Sequence, residues 1–175
     1  MKNQIKKFLF YLEKILILKT RPYRYQPDNL ENSIIHELYN IIDNNEHIHI
    51  INNQISILDL YKLYTYFDYY ISPHCGEGYG LTIYDNMILG NKIISPYYSG
   101  ETEYLNRDEI IELEYEERDI PGLQKHSVYG QMKDYKAAYI SVESIEKCLT
   151  RADTNIFIID CQPLQHEIRG IGMYG

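Results

Sequence analysis

The chain has 175 residues, 45% of them hydrophobic and 24% charged, with a formal net charge of −8. That length suits one ordinary domain, or one domain with a fragment of another, and the composition suits a globular protein with a core. The negative charge, with no basic cluster longer than Lys6-Lys7, excludes a nucleic-acid groove, which needs a basic footprint.

Cys75, Cys148 and Cys161 are odd in number, widely spaced and free of any CxxC pattern. They fit a reducing compartment and neither a disulfide framework nor a zinc site. The first residues, MKNQIKKFLFYLEKILIL, place lysines before apolar residues as a signal peptide does. Glu13 and Lys14 split the apolar run, however, and no small-residue cleavage site follows. No stretch is long and apolar enough to span a bilayer, and the expected location is cytoplasmic.

In chain order, ILIL (15–18) reads as a short strand between lysines. Asp28 opens a helix with a D-x-x-E pattern ending at Glu31, and Ile34, Ile35, Leu38, Ile41 and Ile42 give it one apolar face. HIHII (47–51) is a second strand. Ser56 caps the next helix, with Leu60, Leu63, Tyr64 and Phe67 on one side. YYIS (69–72) is a third strand, residues 81–89 form a helix stopped by Gly90, and KIIS (92–95) is a fourth strand before Pro96. Residues 109–116 alternate with period two and read as a strand, 117–140 read as irregular, and a short helix runs from Ser141 or Val142 to Leu149.

Strands alternating with helices through short connections predict an α/β fold, a Rossmann-like parallel sheet with helices on both faces. Ligands in such folds bind outside the carboxyl ends of the strands, where residues 73–80 and 97–103 fall. The first of these stretches is HCGEGYGL, in which Gly76, Gly78 and Gly80 surround Glu77. Glycines there permit a tight turn and close approach of a ligand, and the helix that follows offers unpaired N–H groups to an anion. Asp85 lies about 6 Å up that helix from Leu81, at roughly 1.5 Å per residue. Two carboxylates about an anion-binding helix end suit a nucleotide sugar, with hydroxyls at both ends and phosphates between. A plain strand-to-helix turn fits the loop alone equally well.

The longer stretch YYISPHCGEGYGLTIYDNMILGNKIISPYYSGETEYL resembles the family-4 (group-1) glycosyltransferases of the GT-B fold. Their C-terminal domains carry a His, E-G-F-G-L, a second acid eight residues after the first, a helix, G-x-P-V-I, and a Gly before a further acid. Here those are His74, Glu77-Gly78-Tyr79-Gly80-Leu81, Asp85, Met87, Gly90, Ile93-Ile94, Ser99-Gly100 and Glu103. The likeness covers roughly residues 10 to 150. It implies half of a GT-B fold: residues 1–150 would be the nucleotide-sugar-binding domain, lacking its first strand. Residues 151–175, whose NIFIIDCQPLQHEIRGIG resembles the start of a GT-B N-terminal domain, would begin a further unit.

By the same resemblance, Glu77 is the catalytic residue and holds the donor sugar's hydroxyls. Tyr79, Gly80 and Leu81, with Gly78, would contact sugar and diphosphate through their amides. Asp85 would take the ribose, while His74, Gly100 and Glu103 would complete the donor site. The implied reaction is metal-independent, cofactor-free transfer with retention from a nucleotide-diphosphate sugar, in which donors must meet charge on the leaving diphosphate.

The sequence departs from that pattern at three points. The second acid is Asp85 where the family usually has Glu, and Lys92 replaces a proline. The Arg and Lys that hold the diphosphate at the start of the family's domain have no counterpart in pattern, and no acceptor domain is present. Two outcomes follow: the donor-binding portion of a glycosyltransferase, or a truncated, non-catalytic remnant or binding subunit completed by another chain that supplies the N-terminal domain. A missing first strand would also leave a sheet edge open to pairing with another chain.

Other groupings point to structure. His47 and His49 share a strand face with no third metal ligand nearby. Adjacent His74 and Cys75 face opposite ways on an extended segment, which removes them as a base and nucleophile. Glu112, Glu114, Glu116 and Glu117 form a solvated strand face, and Tyr61, Tyr64, Tyr66, Tyr69 and Tyr70 belong to core and rim.

Overall fold

The computed structural model describes residues 15–19, 40, 42, 45–51, 53–119, 136–153 and 156–160. Its elements are β1 (Ile15–Lys19), β2 (Ile48–Ile51), α1 (Ile57–Tyr64), β3 (Tyr69–Ile71), α2 (Leu81–Ile88) and β4 (Lys92–Ser95). They continue with β5 (Ile111–Glu112), β6 (Tyr115–Asp119), β7 (Lys136–Ile140), α3 (Val142–Arg151) and β8 (Ile156–Asp160). The predicted helix opening at Asp28 lies almost wholly outside the described residues, with only Asn40 and Ile42 seen as helical. No helix among the described residues is long and apolar enough to cross a membrane.

Six strands form one parallel sheet in the order β2-β1-β8-β3-β4-β5. The α/β, Rossmann-like expectation is met. The two-residue side-chain period assigns each strand's residues to opposite faces. Leu16, Phe157, Tyr69, Ile71 and Ile94 line one face and pack with Cys148 and Leu149 of α3. Ile17, Ile158, Tyr70 and Ile93 line the other, under Leu60, Leu63 and Tyr64 of α1 and Ile83 and Met87 of α2. Residues directly paired across the ladders, such as Ile17, Ile158 and Tyr70, thereby share a face, so the register and the two cores specify one another.

Local chemistry sets the helix starts. Ser56 Oγ accepts the Asp59 N–H at 3.1 Å, and Ser141 Oγ accepts the Ser144 N–H at 3.1 Å. Each satisfies one of the amides that a first helical turn leaves unpaired. Tyr64, Tyr69 and Tyr70 are buried, whereas Tyr61 and Tyr66 lie at the rim, as the sequence predicts.

Two expectations need correction. Residues 109–116 do not make one strand: β5 pairs with β4, and β6 begins a separate element. The supposedly irregular stretch 117–140 contributes the end of β6 and all of β7, an antiparallel two-stranded ribbon with Tyr115 opposite Ile140. Its glutamates gave no apolar alternation to detect, because β6 is largely exposed. β8 lies inside the sheet, between β1 and β3, in the place where the doubly-wound order has its first strand. The outer strands among those described are β2 and β5.

Ile158 is fully buried between Ile17 and Tyr70. Ile158→Ala is expected to lower unfolding stability by about 3 kcal/mol in denaturant titration. A loss below about 1 kcal/mol, smaller than a buried truncation of this size gives, would contradict a central β8.

Candidate functional site

The chain steps from β1 outward to β2, and from β3 outward the other way to β4 and β5. The winding therefore reverses between β1 and β3, where β8 lies, and a crevice opens at such a point beyond the carboxyl ends of the strands. The loop after β3 (residues 72–80) leads into α2, and the loop after β4 (residues 96–103) ends in the 3-10 turn Gly100–Glu103. These are the two stretches the sequence singles out.

The loops are locked backbone to backbone. Gly100 N–H donates to Glu77 O at 3.2 Å, and a Cβ on Gly100 would stand 1.7 Å from Gly78 O. No side chain fits there, so glycine at 100 is a condition of the contact. Ser99 Oγ accepts the Glu77 N–H at 2.8 Å and donates to Glu77 O at 3.0 Å.

Beneath this junction lies a buried pair that the sequence reading missed in part. His74 Nε2 sits 2.9 Å from Glu101 Oε1, and both side chains are wholly excluded from solvent. The contact is a close approach of polar groups without hydrogen-bond alignment, and His74 Nδ1 has no hydrogen-bond partner among the described residues. Glu101 also accepts the Tyr98 N–H at 3.2 Å. His74 links the loop after β3 to the loop after β4 through this buried contact. Glu101 is the buried acid of its turn, and the expected Glu103 is exposed. The residue type at 101 carried no signal of this, because burial of a glutamate depends on the neighbouring loop.

α2 opens at Gly80, whose φ of 70° and ψ of 50° are left-handed, and no side chain caps it. A substituent at Gly80 would also meet Tyr104 Oη at 2.9 Å. Tyr104 Oη donates to Gly80 O at 2.9 Å. Burial, then Glu101, Tyr79, Glu77 and Asp85, hold the Tyr104 phenol well above its ordinary pKa, which keeps it a donor. Its ring meets those of Tyr79 and Tyr84 at centroid distances of 4.9 and 5.1 Å, a packed aromatic wall beside the helix start. Tyr79 and Leu81 are exposed at the mouth, and Glu77 is half-buried. Asp85 accepts from Tyr61 Oη at 3.2 Å, tying α2 to α1.

The structure thus brings Glu77, Gly78, Tyr79, Gly80, Leu81 and Gly100 to one place, with Asp85 a turn along α2. His74 is below them, and Glu103 faces outward. Cys75 is exposed while its neighbour His74 is buried, as an extended segment requires. The β6–β7 ribbon reaches the same place: Ala138 N–H donates to Cys75 O at 2.8 Å, and Tyr98 Oη donates to Lys136 O at 2.8 Å. Among the described residues no group of three His, Cys, Asp or Glu could hold a metal ion.

The two glycines Gly100 and Gly76 make a controlled comparison. Gly100→Ala forces the loops apart and is expected to cost roughly 2 kcal/mol or more in denaturant titration. At Gly76 the nearest atoms to an added Cβ are 3.9 Å away. Gly76→Ala should therefore change stability by less than about 0.5 kcal/mol. Equal effects at both positions would contradict the interlocked geometry.

No protein-family model matches the chain, and no curated protein matches it.

Proposed function

We propose that the chain is the donor-binding portion of a retaining glycosyltransferase that uses a nucleotide-diphosphate sugar. The observation that carries this reading is the uncapped start of α2, opened by left-handed Gly80, with Glu77 in the loop before it and Asp85 about a turn along the helix. Free amides of a first helical turn, with the partial positive charge of the helix end, favour diphosphate oxygens. The two carboxylates accept hydrogen bonds from hydroxyls, Glu77 from the sugar and Asp85 from the ribose. Amides aligned before the reaction lower the barrier by meeting charge as it grows on the leaving diphosphate, without reorganising. The reading needs no metal or cofactor, and its setting is the cytoplasm.

One observation favours a portion that works with a complementary partner. The loops 72–80 and 96–103 contain acids but no Lys or Arg. Further positive charge for a diphosphate would come from another segment or another chain, such as an acceptor domain across the cleft.

Calorimetric titration with UDP-glucose and GDP-mannose tests the reading, with binding of at least one expected at millimolar concentration or below. Glu77→Gln should weaken the nucleotide sugar about tenfold, as for loss of one charge-assisted hydrogen bond, and leave the free nucleoside diphosphate unchanged. Asp85→Asn should weaken both. A folded chain that binds neither sugar nucleotide at millimolar concentration would overturn the proposal.

A further inference from the structure

We propose that Ser99 is a positioning residue for Glu77, an inference that rests on the donor-site reading above. Among the described residues Ser99 is the only non-glycine with positive φ, at φ 73° and ψ −140°. That lies close to the region glycine alone populates, and a side chain persists there only when its surroundings hold it. Glycine at this position would relieve the strain, so the serine has to be understood through what its hydroxyl does.

The hydroxyl addresses a single peptide group pair. Ser99 Oγ accepts the N–H of Glu77 at 2.8 Å and donates its proton to the carbonyl of the same residue at 3.0 Å. Glu101 Oε2 is a more distant acceptor at 3.4 Å. The backbone of Ser99 is held in turn, since its carbonyl accepts Thr102 Oγ1 at 2.6 Å and Thr102 N–H at 3.2 Å. With Gly100 N–H also on Glu77 O, both peptide planes that meet at Glu77 Cα are held. Fixing those planes fixes the Cα–Cβ direction from which the Glu77 side chain starts and narrows the rotamers open to it. Strain at Ser99 is therefore coupled to the direction in which Glu77 presents its carboxylate to a sugar hydroxyl, as a site-held outlier should be.

A merely structural serine and a positioning serine respond oppositely to Ser99→Gly. The substitution removes the strain and both hydrogen bonds together. Three readouts on the full chain separate the roles: denaturant midpoint, hydrogen exchange at the Glu77 amide, and calorimetric titration with UDP-glucose and GDP-mannose. We expect an unchanged or higher midpoint, Glu77 amide exchange faster by about tenfold or more, and donor affinity lower by about tenfold, each corresponding to roughly one lost hydrogen bond. Ser99→Ala keeps the strain and loses the bonds, so it should lower the midpoint as well. Parent-like Glu77 exchange in Ser99→Gly, or parent-like donor affinity in a chain that binds donor, would overturn the proposal. A parent chain that binds neither donor would refute the functional reading, while the Glu77 exchange rate would still decide whether Ser99 orders that residue.

Discussion

Two parallel ladders hold β8 in place. Residues Ile156–Asp160 pair with all of β1 on one side, and Phe157 to Ile159 pair with β3 on the other. Without that strand, β2-β1 and β3-β4-β5 would be separate sheets, each with an open edge at the centre of the molecule. Phe157 and Ile158 also sit in opposite cores, so one strand joins both hydrophobic layers. The reversal of winding that creates a crevice occurs between β1 and β3, where this strand lies. A site at this crevice thus depends on residues more than 70 positions away from the loop that forms its wall.

From β3 the constraint passes to chemistry. β3 and β4 pair directly, which fixes the spacing of the loops that leave their carboxyl ends. Close approach of those loops needs Gly100, and the buried His74–Glu101 contact fills the space under them. Separating two such buried polar partners is costly, because each alone would be desolvated without compensation. Above this base the loop turns through Gly80 into α2 and leaves the helix end uncapped. Acidic residues surround that end. Tyr104 registers their combined field as a raised phenol pKa, dominated by burial and then by Glu101.

Much of this was legible in the sequence. The strands and helices from Ile15 to Ser95 follow simple periodicities, and the serine caps and the Gly80 turn follow from residue type. The loop HCGEGYGL was identifiable by its place, after a predicted strand and before a predicted helix, where ligands of parallel α/β sheets bind. What escaped was set by long-range pairing. β6 is mostly exposed, and β7, KAAYI, buries two adjacent alanines, so no apolar alternation marked the ribbon. The strand character of 156–160 was readable, yet its place in the sheet depends on β1 and β3. His74 and Glu101 have no sequence signature as a pair, since 27 residues separate them and burial alone makes them partners.

An open cavity of about 510 Å³ lies at the opposite, amino ends of β3 and β4, lined by Asp68, Lys92 and Asp153 among others. It supplies an internal contrast for the central claim, that a sugar nucleotide sits at the start of α2. Amide chemical shifts of a ¹⁵N-labelled chain titrated with UDP-glucose or GDP-mannose test that claim most directly. The account predicts the largest shifts at Glu77 and at Leu81, Thr82 and Ile83, with Gly100 following through its contact with the first loop. Shifts confined to the cavity at the amino ends of the strands, or none at millimolar sugar nucleotide, would contradict it.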